Sequence, residues 1–216
     1  MSLTIAIDGP AGSGKGTITK ILAEKLNLIN IDTGAMYRCV ALESLNQGLK
    51  LEDKEKIIKI TKEIKIEFGN NEKVYLNNKD VTKAIREKKV TEIVSPISSI
   101  VEVRKELVKK QQEMAEGQNV IMEGRDITTI VLPKANYKFY LDATLDERAK
   151  RRFEQNKEAG IEMPLEEIKE SIKKRDYNDM NKEVGALKRT EEQIYIDTTD
   201  LTIEEVVEKI LAEIKE

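Results

Sequence analysis

Glycines closely followed by a lysine near the start of the chain form a pattern that binds phosphate. Residues 9–17 read GPAGSGKGT and directly follow the apolar run of residues 3–7. Glycines let the backbone approach an anion, successive N–H groups form a concave nest, and a helix that begins near Lys15 directs its positive end into it. Lys15 can then reach the β- and γ-phosphates of a nucleoside triphosphate. The candidate ATP-binding residues are Gly9, Pro10, Ala11, Gly12, Ser13, Gly14, Lys15, Gly16 and Thr17.

The residue after the lysine departs from the usual form of this loop. Gly16 stands where a serine or threonine hydroxyl ordinarily holds Mg²⁺. We therefore expect Mg²⁺, entering with ATP, to be held mainly by the nucleotide phosphates and by water, as suits a small kinase with two open substrates. Thr17 and Asp32 are candidates for contacts with the metal through water, and no direct protein ligand is predicted.

Charged residues recur after the later candidate strands, where a second phosphate could be bound. They are Arg38 after the second strand, Arg125 and Asp126 after the third, Arg148, Arg151 and Arg152 after the fourth, and the stripe Arg175, Asp179 and Lys182. Taken singly, surface ion pairs explain such groups equally well. Together they suit phosphoryl transfer between two nucleotides, because positioning and charge neutralisation carry most of that chemistry.

Composition excludes several kinds of function. The 216 residues carry a formal net charge of −3, whereas a general nucleic-acid binder is more often basic, so no polymer partner is expected. The chain has no histidine, which removes imidazole catalysis, and its single cysteine, Cys39, is predicted to be a buried helical thiol. No apolar run approaches the roughly 20 residues that span a membrane. We expect a cytoplasmic protein without a membrane partner, and a monomer.

Alternating strand and helix patterns predict an α/β fold with a parallel sheet. The predicted strands are residues 3–7, 28–31, 120–122, 138–141 and 194–196, and the predicted helices are 15–26, 35–45, 101–116, 145–158, 165–180 and 203–214. Thr33 is predicted to cap the second helix, and Thr202 the last one, with Glu205 completing a capping box.

One stretch interrupts this alternation. Residues 64–68 alternate apolar and polar side chains, residues 69–72 have turn composition, and Val74-Tyr75-Leu76 follows, which predicts an antiparallel hairpin. We therefore expect one domain over residues 1–216, with an inserted lobe over approximately residues 45–110. A region around Gly160 and Pro164 reads as a helix break and hinge.

Several of these motifs resemble those of the bacterial cytidylate kinases, which belong to the nucleoside monophosphate kinases. The resemblance runs from end to end and is carried by residues 7–17, 32–38, 124–127, 147–152 and 175–176. It implies a P-loop kinase fold with a five-stranded parallel sheet flanked by helices, an inserted monophosphate-binding lobe that contains the hairpin, and a helical lid at approximately residues 148–182. The implied reaction is ATP-dependent phosphorylation of CMP and dCMP to CDP and dCDP.

The resemblance also assigns roles to individual residues. It implies that the cytosine base is read by Ser95, Arg104 and Asp126, and that the CMP phosphate is bound by Arg38, Arg125 and Lys182. Thr33 and Tyr37 would lie in the same pocket, and Arg175 and Asp179 would contact the sugar. The implied catalytic residues are Lys15, Arg125, Arg148 and Arg152. Two positions depart from the family pattern, because Lys182 replaces a common arginine and Thr128 a common glycine. Lysine supplies charge at such a site without a bidentate fork.

Two other functions are open on the sequence alone. One is a related small-molecule kinase whose acceptor is UMP or another monophosphate. The other is a nucleotide-dependent switch that binds a protein partner, which is disfavoured by Gly16 and by the absence of a guanine-reading Asn-Lys-x-Asp motif.

Overall fold

The computed structural model describes residues 2–69, 73–158 and 160–215. The strands are β1 (Thr4–Asp8), β2 (Ile29–Asp32), β3 (Ile66–Phe68), β4 (Val74–Leu76), β5 (Lys79–Asp80), β6 (Val120–Gly124), β7 (Tyr137–Asp142) and β8 (Ile194–Asp197). The helices are α1 (Lys15–Leu26), α2 (Thr33–Asn46), α3 (Lys54–Glu63), α4 (Lys88–Ser98), α5 (Val101–Ala115), α6 (Leu145–Glu158), α7 (Leu165–Met180) and α8 (Ile203–Lys215). A 3₁₀-helix spans Ala84–Arg86 and a π-helix spans Ile127–Val131.

Five strands form one sheet in the order β2-β6-β1-β7-β8. Strand β1 pairs in parallel with both β6 and β7, and β8 pairs in parallel with β7. The register places Asp8 opposite Gly124, so the segments that follow β1 and β6 leave the sheet at the same edge. This sheet, flanked by helices, confirms the predicted α/β fold class.

The sheet's core is made by apolar side chains on both of its faces. Ile5, Ile7 and Phe139 are fully buried, and they belong to one cluster with Leu22 of α1 and Ile210 of α8. Burial on both sides accounts for the continuous apolar character of β1 and β7, and for the ease with which the sequence predicts them. The core therefore holds rigidly the sheet edge from which the candidate site residues emerge.

Contacts within the chain divide it into two compact units. The first unit comprises the residues up to Asn30 and those from Gly117 onward, and the second comprises Ile31–Glu116. The second unit holds α2 to α5 and a separate antiparallel sheet in the order β3-β4-β5. The predicted hairpin strands are confirmed as β3 and β4, whereas the predicted turn at residues 70–72 lies outside the described residues.

Local details of the sequence interpretation are partly confirmed. Thr202 and Glu205 form the predicted capping box, with mutual backbone-to-side-chain hydrogen bonds of 2.8 and 3.2 Å. The prediction that Thr33 caps α2 is wrong, since the side chain of Asp32 accepts the Ala35 N–H at 2.9 Å and Thr33 is the first helical residue. An ionised carboxylate is a strong acceptor at a helix N-terminus, so the aspartate takes the role.

Cys39 is buried, as predicted, and burial raises the pKa of its thiol to about 12. The thiol is therefore inert at neutral pH, and its contribution is packing within the second unit. Among the described residues, no helix combines the length and the apolar character that crossing a membrane requires.

Candidate active site

The glycine-rich segment between β1 and α1 has a backbone that only glycine allows at its first position. Gly9 has a φ of 155°, and a Cβ atom there would lie 2.0 Å from the carbonyl oxygen of Leu141. Gly12 has a φ of 80°, and a Cβ atom there would lie 3.1 Å from Cβ of Arg148. The loop therefore packs directly against β7 and α6, which holds its N–H groups in a defined arrangement.

Lys15 lies inside this loop rather than on its surface. It is 4 % exposed, and its Nζ donates to the carbonyl oxygen of Pro10 at 2.8 Å and to Oγ of Ser13 at 3.3 Å. Burial, together with the positive charge of Arg125, lowers the pKa of Lys15 to about 7. A polyphosphate in the loop would reverse this effect, because negative charge favours the protonated amine.

Glu123, which was not among the residues selected from the sequence, lies beside Gly16. A Cβ atom at Gly16 would lie 2.9 Å from Oε1 of Glu123, at the end of β6. The carboxylate thus occupies the space beside α1 where a side chain at residue 16 would begin. Its negative charge also acts to raise the pKa of Lys15. A carboxylate at this point adds a hard oxygen donor next to the loop, which is the kind of group that Mg²⁺ prefers.

Three cationic residues of the first unit surround the carboxylate of Asp179 on α7. Its carboxylate lies 2.8 Å from Nε of Arg125, 2.8 Å from Nζ of Lys182 and 3.9 Å from Nε of Arg175. Burial alone would raise the pKa of Asp179, but these cations hold it well below its usual range. Arg125, Arg175 and Lys182 therefore lie together around one buried carboxylate.

Arg148 is held by the backbone beside the loop. Its Nη1 donates to the carbonyl oxygen of Ala11 at 2.9 Å, and its Nε donates to that of Ala143 at 3.0 Å. Nη1 also lies 2.5 Å from Oδ2 of Asp176, whose Oδ1 accepts the N–H of Ala11 at 3.4 Å. Asp176 therefore contacts both Arg148 and the loop, so helices α6 and α7 both form hydrogen bonds with the backbone of Ala11.

The other two arginines of α6 differ in environment. Arg151 donates to the hydroxyl and the carbonyl oxygen of Thr198, at 3.0 and 2.5 Å, and to Glu147 at 2.9 Å. Arg152 is exposed, and its Nη1 lies 3.5 Å from Oε1 of Gln155.

Five candidate residues belong to the second unit, where they lie on α2, α4 and α5. Arg38 donates to the carbonyl oxygen of Ile85 at 3.1 Å and to the hydroxyl of Thr91 at 2.9 Å. The guanidinium of Arg104 lies over the ring of Tyr37, 5.7 Å from its centroid, and Arg104 is 4 % exposed. The candidate residues of this unit are Thr33, Tyr37, Arg38, Ser95 and Arg104.

The residues considered for Mg²⁺ contacts through water have different surroundings. Asp32, the cap of α2, also faces Nη2 of Arg86 at 3.6 Å, so both of its carboxylate oxygens have partners within the second unit. Thr17 is exposed on the first turn of α1. Across the part of the chain that the structure describes, no three acidic or cysteine side chains are grouped as a metal site.

Comparison with known proteins identifies the family. The model of the family described as cytidylate kinase matches residues 5–216. The chain belongs to the cytidylate kinase family. A cytidylate kinase of Caldicellulosiruptor saccharolyticus is 50 % identical over 213 residues, which cover 97 % of this chain and 94 % of that protein. One of Caldanaerobacter subterraneus is 48 % identical over 215 residues, covering 100 % and 96 %. The resemblance that the sequence motifs carry is thereby confirmed.

Solved structures agree on the fold alone. A shikimate kinase from Bacteroides thetaiotaomicron aligns over 99 % of both chains with a TM-score of 0.53 and 15 % identity. A sugar kinase from a Janibacter species aligns over 100 % of this chain and 95 % of its own, with a TM-score of 0.52 and 12 % identity. The architecture is therefore that of P-loop kinases, while membership in the cytidylate kinase family rests on sequence.

Proposed function

We propose that the protein transfers the γ-phosphoryl group of ATP to CMP or dCMP and releases ADP with CDP or dCDP. Membership in the cytidylate kinase family over residues 5–216 is the observation that carries this proposal. The first unit supports it independently, because a phosphate-binding loop with Lys15 lies in the same unit as the cations around Asp179. UMP or another monophosphate as the preferred acceptor, and a switch protein, are the alternatives.

On the donor side, we assign the loop from Gly9 to Thr17 to the phosphates of ATP. Its N–H groups and the end of α1 would bind the anion, and Lys15 would contact the β- and γ-phosphates. Arg152 would approach the transferred group, since it is the exposed arginine of α6. We assign Arg148 to catalysis through its hold on Ala11, because its guanidinium donates to backbone oxygens and to Asp176.

On the acceptor side, we assign residues of each unit separately. In the first unit, Arg125 and Lys182 would bind the phosphate of CMP, Arg175 and Asp179 the sugar, and Asp126 the base. In the second unit, Arg38 would bind phosphate, Ser95 and Arg104 the base, with Thr33 and Tyr37 in the same pocket. The contacts of Asp179 with Arg125 and Lys182 support the first assignment, because both cations already converge on an anion.

Magnesium would enter as its complex with ATP and supply neutralisation of phosphate charge. Glu123 fits this group, because its carboxylate lies where a side chain of residue 16 would otherwise stand, beside the loop. Glu123 and Thr17 are the residues of the first unit that we assign to contacts with the metal through water, whereas the partners of Asp32 make it a weaker candidate.

The transfer itself requires no dedicated base. A phosphate oxygen of CMP attacks the γ-phosphorus of ATP, the bond from that phosphorus to the β,γ-bridging oxygen breaks, and ADP leaves with the electron pair. Lys15 and the arginines stabilise the charge that develops. We propose residues 148–182 as a lid that excludes water and residues 45–110 as the monophosphate-binding lobe, in a monomeric cytoplasmic enzyme without nucleic-acid or membrane partners.

A coupled ADP-release assay tests this function. We expect release with ATP and Mg²⁺ to depend on CMP or dCMP, and to be slower with UMP, AMP or shikimate as acceptor. Faster release with UMP or AMP would favour the alternative kinase. Slow hydrolysis that no acceptor accelerates would favour the switch. The K15A variant serves as the control for the loop, and we expect it to lose about 10³-fold in kcat.

A further inference from the structure

Buried hydrogen bonds join the end of β1 to the segment that precedes β8. The Asp8 carboxylate, which is fully buried, accepts the N–H groups of Ile127 and Thr128 at 2.8 and 3.0 Å. It also accepts the Thr128 hydroxyl at 2.6 Å. The side-chain amide of Gln193 donates to Oγ1 of Thr128 at 2.5 Å, and its oxygen accepts the N–H of Thr190 at 2.6 Å. We call Asp8, Thr128 and Gln193 the Asp8 network.

The network has one consistent direction. Burial raises the pKa of Asp8, and the hydrogen bonds from Thr128 and Ile127 act in the opposite direction. When Asp8 is ionised it only accepts hydrogen bonds, so the Thr128 hydroxyl gives its single proton to Asp8 and offers a lone pair to Gln193. Removal of that hydroxyl would leave a buried carboxylate short of one donor and a buried amide short of its acceptor. Thr128 and Gln193 are 2 % and 6 % exposed, so water has little access to replace either bond.

The network lies between the two functional segments of the first unit. Asp8 directly precedes Gly9, the first residue of the phosphate-binding loop, while Ile127 and Thr128 directly follow Arg125 and Asp126. Strands β1 and β6 pair as far as Asp8 and Gly124, which are the last two residues of their ladder. Beyond Gly124, the bonds to Asp8 continue the connection and hold the start of the π-helix, which Arg125 and the N-cap residue Asp126 directly precede.

We propose that the Asp8 network positions Arg125 and Asp126, and that Thr128 and Gln193 are positioning residues for the acceptor nucleotide. This inference rests on the proposed function, which assigns Arg125 and Asp126 to CMP. Thr128 acts through the backbone that it shares with them, and Gln193 acts through the Thr128 hydroxyl. Loss of these bonds therefore changes the affinity for CMP more than the affinity for ATP.

The experiment compares T128V, which keeps the branched shape without the hydroxyl, with T128S, which keeps the hydroxyl. We expect T128V to raise KM for CMP about tenfold, the effect of one buried hydrogen bond left unmade. KM for ATP is expected to stay within about twofold, and T128S to remain close to the wild type on the same reasoning. Q193A should shift KM for CMP in the same direction, and it provides a second variant if T128V folds poorly.

Amide hydrogen exchange supplies a readout that does not depend on turnover. We expect the N–H groups of Ile127 and Thr128 to exchange faster in T128V than in T128S at equal global stability. If T128V and T128S have equal KM for CMP, or if KM rises equally for both substrates, the inference is overturned. If the wild-type protein itself releases no ADP with CMP, the proposed function fails, and that outcome is distinct from equal behaviour of the two variants.

Discussion

Arg148 and Asp176 form a buried ion pair that joins α6 to α7, with 2.5 Å between Nη1 and Oδ2. Both side chains are 9 % exposed, and both also bond to Ala11 in the phosphate-binding loop. A pair in this position serves two purposes, because it satisfies two charges in the interior and holds both the N–H and the carbonyl group of Ala11. Removing one partner leaves the other charge buried and uncompensated.

We predict that D176A destabilises the protein by about 3 kcal/mol and raises KM for ATP more than KM for CMP. The physical reason is that Arg148 loses its counter-ion and Ala11 loses a fixed partner. Urea denaturation and steady-state kinetics measure the two effects. K174A, an exposed change on the same helix, is the matched control and should stay within about 0.5 kcal/mol of the wild type. A D176A protein with unchanged stability would contradict the role of the pair.

Lys15 predicts a pH dependence of stability in the ligand-free protein. Burial lowers its pKa to about 7 in the folded state, against 10.5 ordinarily. Between these values the unfolded chain binds more protons than the folded one, so the contribution of Lys15 to stability is lowest below pH 7 and rises with pH above it. We expect the free energy of unfolding to gain about 2 kcal/mol from pH 7 to pH 9 relative to K15M.

Urea denaturation of both proteins at several pH values measures this difference. Cys39 titrates in both proteins, so its raised pKa cancels in the comparison. Parallel pH profiles for the wild type and K15M would show that the amine remains protonated in the folded protein throughout this range.

Because Gly16 lies beside Glu123, we predict that substitutions at these two residues have non-additive effects on kcat/KM. A Cβ atom at residue 16 would meet the Glu123 carboxylate at 2.9 Å, so G16A should displace that side chain and lower kcat/KM for ATP. In an E123A background the obstacle is gone, and the same change should cost less. We expect an interaction energy of about 1 kcal/mol between the two substitutions, obtained from kcat/KM of the four proteins. Strict additivity would mean that the carboxylate does not explain the glycine.

The cations around Asp179 lead us to predict that added phosphate can replace the negative charge of its carboxylate. D179N removes the charge between Arg125 and Lys182 without changing the shape of the side chain. We expect a loss of about 3 kcal/mol in phosphate-free buffer, because the two cations then repel each other inside the protein. Added phosphate should restore part of the melting temperature in D179N and less in the wild type or in N178A, an exposed neighbour. Equal responses to phosphate in the three proteins would refute this account.

Arg104 predicts base selectivity. Its guanidinium is buried over the ring of Tyr37, which restricts the directions in which it can donate. R104M removes the donors while keeping much of the apolar length, so we expect the preference for CMP over UMP in kcat/KM to fall about tenfold. K105A, on the exposed side of the same helix, is the control. An unchanged ratio in R104M would assign base reading to other residues.

Local patterns in the sequence were sufficient for much of the fold. The phosphate-binding loop, α1 and α7 are encoded within short segments, since glycine spacing and helical periodicity need no distant partner. Helices α3 and α4 of the second unit were not predicted from the sequence. The cap of α2 was assigned one residue too late, because Asp32 and Thr33 are both good capping residues and only the backbone distinguishes them.

The sequence by itself determined the family, the α/β architecture and the loop that contains Lys15. Tertiary structure alone showed that Asp176 bonds to Ala11, that Glu123 faces Gly16, and that Asp8 and Gln193 meet at Thr128. These contacts join residues that lie from 65 to 165 positions apart in the chain. Their side chains are ordinary polar residues until the sheet and helices bury them side by side, because burial is what makes a single partner necessary.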